Sequence, residues 1–174
     1  MSIEPDRKDW TWVIDGRCAQ CGYDGREVGF RAVPGLILAN ASAWPTEMER
    51  PDVRARPDDR TWSPLEYAAH VRDVYRIFGD RLALMLHEDG PSFPNWDQDA
   101  TAIEARYGEQ DPGEVVRDLG EAAHTLAAAF DDVPDNALGR VGFRSDGAAF
   151  TVETLARYML HDPIHHLWDV RATR

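Results

Sequence analysis

Residues 151–170 read TVETLARYMLHDPIHHLWDV. Leu155, Tyr158, Met159, His165 and Trp168 recur at helical spacing, which predicts a helix over roughly 151–170 with Thr151 as its N-cap. Pro163 falls inside it. Lacking an N–H, the proline should bend this helix, yet the periodicity continues past it. Within the stretch, HDPIHH at 161–166 sets His161 and His165 four residues apart. That spacing puts both imidazoles on one helix face, a turn apart. Two nitrogens so held are half of a metal site, and burying them without a cation would leave polar atoms to satisfy. His166 is rotated by about 100° from His165 and is expected to face elsewhere. Asp169, four after His165, either orients that imidazole or is a solvated acid.

Working back along the chain, Asp111-Pro112-Gly113-Glu114 opens a helix to about Phe130, with Val115, Leu119, Ala122, Leu126 and Phe130 on one side. The segment 134–150, rich in Gly, Asp and Asn, reads as a loop or small hairpin. Its Arg140 and Arg144 either receive an anionic substrate or carry surface charge. A short helix is predicted over 100–107, and 88–99 is a connection.

The helix at about 63–87 has the clearest start. Ser63-Pro64-Leu65-Glu66 combines an N-cap serine, a proline in the first turn and a capping-box glutamate. Tyr67, Val71, Val74, Phe78, Leu82 and Met85 form its apolar stripe. His70 lies on the edge of that stripe and is either a hydrogen-bonded core residue or a third ligand. Asp73, three residues later, is a candidate to orient His70. Another helix is predicted over about 31–48, kinked or ended by Pro45, and 51–60 is a polar loop. Four long helices without a repeated strand pattern point to an all-α four-helix bundle.

At 174 residues the chain is most simply one bundle domain, 31–174, preceded by an irregular arm, 1–30. Its net charge of −12 argues against nucleic-acid binding and against an anionic membrane surface. No apolar run approaches the ~20 residues needed to span a bilayer. MSIEPDRKDW at 1–10 lacks the pattern of a secretory signal, so the expected location is the cytoplasm.

Two cysteines, Cys18 and Cys21, form a C-x-x-C in the arm, followed by Gly22. The motif is half of a zinc knuckle, a redox dithiol, or two quietly packed thiols. As a zinc site it would have to borrow His87, His124, His166 or a carboxylate. Trp10, Trp12 and Trp96 fall in loops and suit a pocket mouth, whereas Trp44, Trp62 and Trp168 suit packing. There is no Gly-rich phosphate loop, no G-x-S-x-G elbow and no E-x-x-H pair of the diiron type.

WSPLEYAAH at 62–70 together with HDPIHHLWD at 161–169 resembles the DinB-like family of metal-binding helical bundles. The likeness spans residues 31–171 and implies an up-down-down-up bundle in which His70, His161 and His165 hold one divalent metal. Zinc leads as the metal, with nickel or iron as alternatives. It further implies an enzyme related to thiol-dependent S-transferases and mycothiol-dependent maleylpyruvate isomerases. Such an enzyme passes a low-molecular-weight thiol, held as thiolate, to an electrophilic small molecule, and a homodimer is reasonable. A non-catalytic metal or ligand carrier and a metal-hydroxide hydrolase are the alternatives. Pro163 inside the histidine motif and the C-x-x-C arm both depart from the family pattern.

Overall fold

A computed structural model describes residues 9–172. The reading of the extreme N-terminus as no signal falls mostly outside these residues. The arm over 9–32 holds three short 3-10 turns, at Thr11–Ile14, Gly25–Glu27 and Phe30–Ala32. Helices α1 (Val33–Ala41) and α2 (Trp44–Met48) follow, then α3 (Pro64–His87), strand β1 (Ser92–Phe93) and α4 (Gln98–Glu104). Helix α5 (Pro112–Asp131), strands β2 (Val141–Arg144) and β3 (Ala149–Thr151), and α6 (Val152–Ala172) complete the chain.

The helix starts follow their capping residues. Ser63 accepts a hydrogen bond from the Glu66 N–H, and the Glu66 carboxylate accepts one from the Ser63 N–H at 2.9 Å. Asp111 caps α5 through the Glu114 N–H at 2.9 Å. Thr151 Oγ1 accepts from the Thr154 N–H, and Thr154 Oγ1 accepts from the Thr151 N–H. Each such cap satisfies donors that a helix start leaves unpaired. The expected helix over 31–48 is two helices, with Pro45 in the first turn of the second.

Helices α1, α3, α5 and α6 pack together as the bundle, α3 against α5 and α6, and α1 against the same two. Most of the stripes read from the sequence meet inside: Val74, Leu82 and Met85 of α3, Leu119, Leu126 and Phe130 of α5, and Leu155 and Met159 of α6 are buried, whereas Trp168 at the end of the α6 stripe is exposed. Burial stabilises each such large side chain by roughly 1.5–3 kcal/mol. The arm joins this core through Cys18, Tyr23 and Phe30, and the Tyr23 hydroxyl donates to the Arg157 carbonyl of α6 at 2.7 Å.

Pro163 leaves α6 continuous. Buried Asn40 of α1 secures this turn: its Nδ2 donates to the Pro163 carbonyl at 2.8 Å. Its Oδ1 accepts from the Tyr75 hydroxyl at 2.9 Å and the Trp44 indole at 3.1 Å.

The strictly all-α expectation is corrected. A three-stranded sheet lies at one end, with β1 parallel to β2 and β2 antiparallel to β3. The 134–150 segment supplies β2 and most of β3 as the small hairpin considered for it, and the 88–99 connection adds β1, a pairing too short and too distant in sequence to leave a strand period. Gly142 is required where β2 crosses α3, since a Cβ there would come 2.7 Å from the Met85 side chain. Arg140 ties the sheet to the end of α3, donating to the Met85 and Glu88 carbonyls at 2.7 Å each.

Candidate metal centre

The donors on α6 divide between two helix faces. Residues 161 and 165 share one face; residues 162 and 166 share the next, about 100° around. Each face meets a different partner, and among the described residues two groups of ligand atoms lie within 4.8 Å of one another: His70 with Asp162 and His166, and Cys18 and Cys21 with His161 and His165.

In the first group, His70 Nε2 lies 3.1 Å from Asp162 Oδ1, and His166 Nε2 lies 3.5 Å from the same oxygen. Donors around one tetrahedral ion at ~2.0–2.2 Å sit roughly 3.4 Å apart, so these separations fit a shared cation. Two imidazoles and a carboxylate suit zinc, nickel or iron. His70 is fully buried, and its Nδ1 has no hydrogen-bond partner among the described residues. Trp96 stacks on the His70 ring at 5.0 Å with an interplanar angle of 3°, and Trp62 tilts against it at 5.2 Å. Asp169 fixes the His166 ring, with Nδ1 3.0 Å from Oδ2, the carboxylate–histidine pairing that metal-bound imidazoles commonly use. Burial opposes ionisation of Asp162, but the imidazoles of His70 and His166 outweigh it and hold its carboxyl well below the usual range.

This group is open. The Asp162 side chain is 32% exposed, and it faces a cavity of about 1060 Å³. Trp10, Trp62 and Trp96 line that cavity with Tyr67, Arg81, Arg144 and Tyr158. Burial lowers the Arg81 guanidinium to about 10, so it remains a cation at neutral pH. Arg144 donates to the Tyr158 hydroxyl at 2.9 Å and pairs with Asp146.

The second group is more enclosed, with Cys21 half-buried, although His161 and His165 also reach the wall of the same cavity. Cys18, His161 and His165 are 2%, 5% and 8% exposed. Burial, with the neighbouring His165 ring, lowers His161 to about 4, so its ring is neutral at pH 7.

Several expectations change in consequence. The triad of His70, His161 and His165 is not assembled as one donor group. His70 meets the neighbouring α6 face, because that is the face α6 turns to α3. His166, expected to look elsewhere, is the histidine that approaches His70, at a ring-centroid distance of 4.9 Å. Asp169 hydrogen-bonds His166 and stands 3.7 Å from His165. Asp73 does not orient His70: Arg72 and the Tyr107 hydroxyl hold its carboxylate, the latter at 2.5 Å. The histidines that lie in one donor group with Cys18 and Cys21 are His161 and His165, not those considered for them. Arg144 is a cavity residue and Arg140 a structural tie. The missed signal was present: Asp162-x-x-x-His166 has the same four-residue spacing as His161-x-x-x-His165, one register on.

A family model described as the DinB superfamily matches residues 39–170. The chain belongs to the DinB superfamily. Among solved structures, it is similar to YfiT from Bacillus subtilis, described as a probable metal-dependent hydrolase with an unusual four-helix bundle topology. The TM-score is 0.69 at 20% identity, over 82% of this chain and 84% of YfiT. At that identity the likeness establishes the DinB-like four-helix bundle as the fold. None of the curated proteins compared matches the chain. No helix among the described residues is long and apolar enough to cross a membrane.

Proposed function

We propose that this DinB superfamily member is a divalent-metal-dependent enzyme that transfers a low-molecular-weight thiol to an electrophilic small molecule, with its reaction centre at His70, Asp162 and His166. The observation that carries the reading is an open donor group on the wall of a cavity of about 1060 Å³. Bound there, a divalent ion would supply Lewis acidity and favour the anionic form of a thiol or water beside it. The chain's own residues do the rest. Asp169 orients His166, while Trp62 and Trp96 cover the His70 ring and keep its surroundings apolar.

The cavity is at the upper end of the roughly 300–1,000 Å³ typical of one small ligand, which supports a site for two reactants. Gln20, Asn95 and Gln98 on its wall suit a hydroxyl-rich thiol cosubstrate. Arg81 and Arg144 suit an anionic electrophile. Hydrolysis is the second reading, favoured by the description of YfiT as a probable hydrolase; water would then replace the thiol.

The test uses full-length chain loaded with zinc, nickel or iron, a panel of small thiols, and monobromobimane or chlorodinitrobenzene as electrophile. Thiol transfer predicts thiol loss that requires metal and is abolished by His70→Ala. Turnover of ester or amide substrates without added thiol would replace transfer by hydrolysis, and absence of turnover with every loaded metal would leave a non-catalytic binding protein.

A further inference from the structure

The reaction centre proposed above leaves Cys18, Cys21, His161 and His165 without a role. We infer that these four residues form a second, structural metal site of the Cys2His2 type, which takes zinc and clips the N-terminal arm onto α6.

Four observations carry the inference. The four ligand atoms lie within 4.8 Å of one another. Cys18 Sγ is 3.6 Å from His165 Nδ1, against about 3.5 Å between a sulfur at 2.3 Å and a nitrogen at 2.0–2.1 Å from one tetrahedral zinc. Both cysteines are free thiols. His161, 5% exposed, buries an Nε2 atom that has no hydrogen-bond partner among the described residues, which is costly unless something accepts its lone pair or proton.

The backbone of the arm is shaped for the same purpose. Cys18 N–H donates to the Tyr23 carbonyl at 2.7 Å, and Gly22 N–H donates to the Cys18 carbonyl at 3.0 Å. Gly22 takes φ +77°, a left-handed conformation that glycine adopts without strain. The resulting tight turn brings the two thiols to one side. Trp10 and Tyr23 wall the site, with ring centroids 5.3 Å and 5.7 Å from His161.

Charge and donor number set the two sites apart. Loading the cysteine site releases two protons, and two thiolates then cancel the charge of a divalent ion, so a neutral cluster is buried. Four protein donors would also leave no position for a substrate, as structural zinc sites require. The group at His70 has three protein donors, which leaves a position for substrate. Because Asp9, Trp10, Thr11 and Gln20 of the arm line the cavity, the clip also builds one of its walls.

The experiment uses untagged full-length protein purified without chelator. We expect one zinc per chain to resist EDTA and to be released on titration of the two thiols with a mercurial, read by a chromogenic chelator. Cobalt exchanged into this site should show thiolate-to-cobalt charge transfer and intense tetrahedral visible bands. Both signals should persist in His70→Ala/His166→Ala and vanish in Cys18→Ser/Cys21→Ser. The mercurial and cobalt measurements on wild-type protein decide the matter even where the cysteine variant fails to fold. Thiols that react freely with Ellman's reagent in zinc-loaded protein, a Cys18–Cys21 disulfide formed on mild oxidation without loss of zinc, or cobalt bound without charge transfer would each overturn the inference.

Discussion

Nε2 of His70 on α3 stands 3.1 Å from Oδ1 of Asp162 on α6. The two residues are 92 positions apart in sequence, and the approach exists only because α3 and α6 pack side by side. His166 reaches the same oxygen from its own helix at 3.5 Å. Replacing His70 or His166 by Ala is therefore expected to remove the EDTA-sensitive metal and the thiol-transfer activity together. His161→Ala is expected to leave that ion in place. Elemental analysis of the three variants before and after chelation checks the assignment, and loss of the chelatable ion in His161→Ala alone would reverse it.

Asp169 acts on His166 through a 3.0 Å contact to Nδ1. Outer carboxylates of this kind typically change metal affinity by about 10–100-fold. Asp169→Asn is expected to weaken the chelatable ion by that range while circular dichroism and urea midpoint change little. Competition with a fluorescent zinc chelator measures the shift.

Asn40 ties three elements together through Pro163, Tyr75 and Trp44. Its removal leaves buried polar groups unpaired, each worth about 1–3 kcal/mol. Asn40→Ala is expected to lower unfolding free energy by at least about 3 kcal/mol, visible as a lower midpoint in urea. Asn40→Leu should do no better, because the lost partners are polar.

Asp73 supplies a pH signature. Burial opposes its ionisation, but hydrogen bonds from Arg72 and Tyr107, with the nearby guanidinium charges, outweigh it and hold its carboxyl below the usual range. The unfolded chain then binds the proton more readily than the folded one, so this contribution to stability is complete above the ordinary aspartate pKa near ~3.9 and is lost as pH falls through the lower folded value. Asp73→Asn should cost about 1–3 kcal/mol at pH 7, and the gap to wild type should narrow below about pH 4. Denaturant titrations at the two pH values test this, and unchanged metal content in the same variant would agree with an Asp73 that lies outside the metal centre.

Much of the bundle was legible from local chemistry. Ser63, Asp111 and Thr151 announced their helices, since capping depends on residues within one turn. The apolar stripes of α3, α5 and α6 gave the buried faces, since periodicity alone fixes them. The helix pattern with the two histidine motifs identified the family. The β2–β3 hairpin was one reading of 134–150, but β1 escaped because it offers too few residues for a strand period and its pairing with β2 joins segments about 50 positions apart.

The sequence by itself determined that His161 and His165 share one face of α6, that His166 lies on another, and that the arm carries two thiols. It could not determine which face meets which partner. That choice rests on the rotation of α6 about its axis, and the packing of α3 on one side and of the arm on the other sets that rotation. A rotation of about 100° exchanges residues 161 and 165 for residues 162 and 166. Only the tertiary structure decided that His70 meets Asp162 and His166, leaving His161 and His165 to the cysteines.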